Sequence, residues 1–181
     1  MRSIFIGMLF VFLNININIG GTSVGLIPDF IGYCFMLRGL TEIEGFSERF
    51  TKIKPIVKGM AIYSAFIYLF ALIQGPTNVN IQYAFSSLGF FVLFLSLVSV
   101  LASLYISYNI IMGIKDIEGI QARDLHSERL HSVWKVKAVF SILTFVIIIA
   151  PALAIISMLV SFVVAIIYLI AFNKSKKLFY S

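Results

Sequence analysis

The chain has 181 residues, 60% of them hydrophobic and only 12% charged, with a mean hydropathy of +1.02. A water-soluble domain carries about 25% Asp, Glu, Lys and Arg, so a soluble enzyme or binding module is excluded; so are a disordered chain and, with Cys34 the one cysteine, a disulfide scaffold. The net charge of +6 raises nucleic acid as a partner, but the basic residues fall in four groups separated by stretches of 35, 56 and 36 residues, a membrane pattern that speaks against it.

Each stretch is long enough for two crossings, since a helix needs about 20 apolar residues to span about 30 Å of hydrocarbon. The predicted fold is all-α: a polytopic integral membrane protein with six transmembrane helices in three hairpins, one domain over residues 1–181. Helices are expected near 4–19, 24–39, 57–74, 82–113, 137–150 and 152–172. Turn signals divide the stretches at Gly20-Gly21, at Gly75-Pro76 and at Pro151. All fourteen Lys and Arg then fall on one side of the bilayer, and the positive-inside rule makes that side, with both termini, cytoplasmic.

Arg2 ahead of an apolar run has the look of a secretory signal, but no small-x-small site follows and an uncleaved first helix is expected. Its hairpin with the second helix carries Asn14, Asn16, Asn18, Thr22, Ser23 and Asp29, the polar concentration of the outer side. Asp29 stands nine residues before Arg38, about 13 Å along a helix and so near mid-membrane, where a carboxylate must face protein or water. Pro28 suits the first turn of a helix, so the second helix is expected to begin there, with irregular backbone from 20 to 27. Two readings of Asp29 stand: a ligand-binding carboxylate with Asn14, Asn16 and Asn18, or a cap that fixes its own hairpin.

The runs Ile17-Asn18-Ile19-Gly20 and Leu26-Ile27-Pro28-Asp29-Phe30-Ile31-Gly32-Tyr33 resemble a pattern in uncharacterised small multi-pass membrane proteins of Gram-positive bacteria. The likeness covers about the first 40 residues; it implies a bacterial plasma membrane and no settled activity. In size, helix number and an outward-facing site the chain is also similar to vitamin-binding S-components of energy-coupling factor transporters. Their small-xxx-small contact motif has only Gly7 to represent it here.

Thr41-Glu42-Ile43-Glu44 has the form of a capping box, and Ile43, Phe46, Phe50 and Ile53 follow on one face. The segment 41–54 is therefore expected to be a cytoplasmic amphipathic helix ending before Pro55, its Phe46 and Phe50 turned to the headgroups or to a partner protein. In the fourth helix Ser96, Ser99, Ser103 and Ser107 share a face, and Ala154, Ser157, Ser161 and Ala165 repeat the spacing in the sixth. Small residues let helices approach in lipid, so these predict packing seams, with a hydroxyl-lined pore face as the alternative.

The loop 115–136 holds charges of both signs, with Trp134 as an interfacial anchor. His126 and His131, five residues apart, would diverge by about 140° on a helix, so no metal site is expected, and no cofactor. Asp29 alone cannot form a carboxylate pair, and no histidine accompanies Cys34 or a membrane serine, so no enzyme is expected.

The partners implied are the lipid bilayer, a small-molecule or cation ligand, and another membrane protein or a second copy. The leading expectation is a protein that binds or moves a small solute or cation through an outward-facing cavity containing Asp29. Its rival is a scaffold or regulatory subunit docking a partner through Phe46, Phe50 and Trp134.

Overall fold

A computed structural model describes residues 1–12, 16–19, 22–25, 28–74, 87–121, 124–146 and 151–180. They form six helices: α1 (Arg2–Phe12), α2 (Asp29–Ile43), α3 (Glu48–Gln74), α4 (Ser87–Gln121), α5 (Ser127–Val146) and α6 (Pro151–Tyr180). A two-stranded antiparallel ribbon, β1 (Asn16–Ile19) and β2 (Thr22–Gly25), stands between α1 and α2. The helices form a ring: each packs against the next in sequence, and α6 returns to α1.

The first helix is shorter than expected because the alternation of Asn and Ile from 14 to 19 has the period of a strand, and β-branched side chains favour that state. The register pairs Asn16 with Gly25 and Asn18 with Ser23, so part of the segment expected to be irregular is paired ribbon. α2 begins at Asp29 directly after Pro28, as the proline predicts.

The amphipathic helix over 41–54 is a correction. The Thr41 hydroxyl donates back to the Leu37 carbonyl at 3.0 Å, so it ends α2 instead of capping a new helix. A 3-10 turn, Glu44–Phe46, follows. The new start is Ser47, whose hydroxyl oxygen accepts from the Arg49 amide at 3.3 Å and donates to Asp116 of α4 at 2.6 Å. α3 then runs through Pro55 without stopping. The long loop also contracts: α4 continues to Gln121 and α5 starts at Ser127. Pro151 opens α6, which packs against α5.

One end of the ring is filled and tied. Ile4, Met8, Leu40, Ile43, Phe50, Ile53, Val57, Ile110, Ile114 and Leu130 are buried there. Arg49 pairs with Asp116 at 3.1 Å and Lys115 with Glu128 at 2.5 Å, Lys54 pairs with Glu44, and the buried Ser175 hydroxyl donates to the Leu125 carbonyl at 2.5 Å. Asp124 accepts from the His126 amide at 2.7 Å, which holds its carboxyl below the usual range; His126 itself has φ 60°.

The outer surface is apolar, with Ile62, Phe66 and Leu159 each more than 60% exposed. In water such a surface would drive aggregation. Three helices, Glu48–Phe70, Phe94–Gln121 and Leu159–Tyr180, are long and apolar enough to cross a membrane. The 11 residues of α1 and 15 of α2 reach about 16 and 22 Å, short of a full hydrocarbon core.

α1 and α2 meet backbone to backbone. A methyl group on Gly7 would lie 2.5 Å from the Gly32 carbonyl oxygen, and one on Gly39 would lie 2.6 Å from the Ile4 nitrogen. Gly7→Leu or Gly39→Leu is therefore expected to remove the folded, monodisperse species from size-exclusion profiles in detergent. Gly59→Ala, where an added methyl meets nothing within 4 Å, should instead raise thermal stability by roughly 0.5 to 1 kcal/mol.

Candidate functional site

Lys137 lies ten residues into α5, about 15 Å from its start. Its neighbours Val136 and Val139 turn outward and are exposed, whereas Leu130, Trp134 and Ser141, at helical spacing from it, share its inward face. Lys137 itself is only 6% exposed. The sequence reading places it at the first turn of the fifth helix, with the other basic residues at the cytoplasmic face; the structure sets it deep in α5 and buried. Its ammonium sits over the Phe12 ring of α1, 2.8 Å from the centroid, with the Tyr168 ring of α6 at 5.5 Å. Among the described residues it has no ion pair and no hydrogen bond. Aromatic faces return about 0.5 to 2 kcal/mol to a cation, while a lysine at the middle of a membrane helix costs about 2.5 to 3.5 kcal/mol.

Beside Lys137 opens a cavity of about 300 Å³. Val11 and Phe12 of α1, Val100, Ser103 and Leu104 of α4, Ser141 of α5, and Ser161, Phe162 and Ala165 of α6 complete its wall. Three helices thus each present one hydroxyl to a space holding one cation. Ser103, Ser161 and Ala165 belong to the expected packing seams, and among the described residues the backbones of α4 and α6 do not approach closely. At these three positions the small side chains leave room for the cavity. Ser107, a turn from Ser103, is purely structural: it is buried, and its hydroxyl donates to the Ser103 carbonyl at 2.7 Å.

Asp29 is half-buried at the first position of α2 and does not line this cavity. Tyr33, one turn on, is buried. Asn16 and Asn18 are in β1, and Asn14 lies outside the described residues.

The expected docking residues are mostly engaged within the chain. Phe50 is fully buried against Gly113 of α4, so it is not available to headgroups or a partner. Ile43 and Ile53, from the same expected face, are buried too. Phe46 is 41% exposed and packs edge-on against Phe179 at 5.8 Å. The Trp134 indole N–H donates to the Leu104 carbonyl at 3.3 Å, and its ring meets Tyr108 at 5.0 Å. Trp134 is thus a brace between α4 and α5, one turn from Lys137. No group of three His, Cys, Asp or Glu able to hold a metal exists among the described residues.

Sequence reasoning missed Lys137 and Ser141. The signal was available in the start of α5: a helix beginning at Ser127 carries Lys137 well past its first turns, with apolar residues on both sides.

A lysine buried without a counter-charge is a stability cost. Lys137→Met is therefore expected to fold and to resist unfolding by heat or SDS by about 2 to 3 kcal/mol more than the native chain. A loss of stability would show that the lysine holds the helices together. No protein-family model, no curated protein and no solved structure matches this sequence, so the chemistry of the cavity is the guide to function.

Proposed function

We propose that the chain is a six-span protein of a bacterial plasma membrane, its termini cytoplasmic, that binds a small solute in the cavity of its helix ring. The observation that carries this reading is Lys137: a lone, buried ammonium beside three hydroxyls in a space of about 300 Å³. Sites for small molecules have this construction, largely apolar walls with a few convergent polar groups, and this volume is at the low end of their range.

The membrane assignment is supported by the three long apolar helices and the exposed apolar belt. In this reading the shorter α1 and α2 cross together with the ribbon between them. The tied, core-filled end carries most of the charged residues and so faces the cytoplasm. The cavity then lies on the outward side of that plug. The bacterial setting rests on the resemblance of the Pro28-Asp29-Phe30 segment. The rival reading, a scaffold docking a partner through 41–54 and Trp134, has less support because Phe50 and Trp134 are occupied inside the chain.

The test is to purify the protein in mild detergent, extract what it carries and identify small molecules by mass spectrometry. The native chain should retain one in near-stoichiometric amount, and Ser161→Phe, which fills the cavity, should lack it. Equal content in the two would overturn the reading. Asp29→Asn should stay folded with reduced occupancy; full occupancy would leave the carboxylate only its place at the start of α2.

A further inference from the structure

The groups around the cavity also discriminate between ligand charges. The acidic side chains at the tied end of the ring already have partners: Glu42 with Arg38, Glu44 with Lys54, Glu48 with Lys52, Asp116 with Arg49, and Glu128 with Lys115. Glu118 accepts from the Leu125 amide and Asp124 from that of His126. None of these lines the cavity, nor does Asp29. Lys137 therefore has no internal anion to neutralise it where it lies.

The neighbouring polar groups point the same way. Ser103, Ser141 and Ser161 offer hydroxyl donors to the cavity. Behind Phe12, whose ring meets Tyr168 edge-on at 5.6 Å, the Tyr168 hydroxyl is fully buried and has no hydrogen-bond partner among the described residues. An amine with hydroxyl donors beside it and no carboxylate favours an acid, whose proton it accepts on binding, over a cation. A single cation matches a single negative charge, and the remainder of the wall is apolar. The volume equals that of about ten waters in the liquid, which limits the ligand to a small one.

We propose that the cavity binds a monocarboxylate with an apolar body, its carboxylate on Lys137 and the serine hydroxyls and its body against Phe12, Leu104 and Phe162. This rests on the cavity being the binding site. Such a ligand has two sources, a short water-soluble acid or a fatty acid of the membrane, and both present the same headgroup.

The test uses the full chain in lipid nanodiscs, titrated calorimetrically with hexanoate, hexanol, hexylamine and oleate, with empty nanodiscs subtracted. Hexanoate should bind and hexanol and hexylamine should not. Lys137→Met should weaken hexanoate at least about tenfold, while Lys137→Arg stays within about tenfold of the native chain. Binding of oleate in place of hexanoate would keep the carboxylate and assign the membrane as its source. Hexanol or hexylamine binding as well as hexanoate, or hexanoate undiminished in Lys137→Met, would overturn the proposal. If that hexanol or hexylamine binding disappears in Ser161→Phe, the cavity still stands as the site and only the ligand class fails. If no probe binds and extraction of the native chain yields no small molecule, both fail.

Discussion

The position of α1 depends on three missing side chains. Gly7, Gly32 and Gly39 let α1 and α2 touch backbone to backbone, and no larger residue fits at those points. In lipid, where burying apolar surface against another helix gains little over burying it against acyl chains, such close approach is a main source of helix association. α1 is too short to bury much area by itself, so this contact decides where it lies. From there it reaches α6 through Phe5 on Phe172 and Phe12 on Tyr168, closing the ring. Phe12 then lies under the Lys137 ammonium. The cavity is thus a distant result of glycines on the opposite side of α1.

The ring divides its polar chemistry by height. At the tied end, charges occur in exposed pairs, each worth little to stability by itself. At the cavity, a single charge is buried with aromatic rings and hydroxyls. The first arrangement holds the ends of helices; the second leaves a charge waiting. A core serving stability alone would place an apolar residue at 137, as it does at Leu130 on the same face.

Much of the architecture is legible in composition. Apolar stretches between basic groups announce helices, and six helices are found among the described residues. Pro28 marks the start of α2 and Pro151 that of α6. Boundaries read from local motifs did less well, because tertiary contacts competed with them. Thr41 to Glu44 has the letters of a capping box, but its threonine is used by the helix before it, and Ser47 takes the capping role with Asp116 as second partner. The same competition explains the site. Phe50 looks like a surface residue until Gly113 receives it, and Lys137 looks like the end residue of a helix until the extent of α5 is known. The serine stripes are visible in sequence, but whether they pack or line a space depends on which helices are neighbours, and periodicity carries no such information.

α4 has 35 residues, about 52 Å, far more than a bilayer core requires. Asp116, gripped by Ser47 and Arg49, and Ser103, on the cavity wall, are thirteen residues apart on this one unbroken rod. With about 20 Å of continuous helix between them, the two cannot shift along its axis independently. A pull on the ion-paired collar is mechanically a displacement of the cavity wall, with α4 as its pushrod.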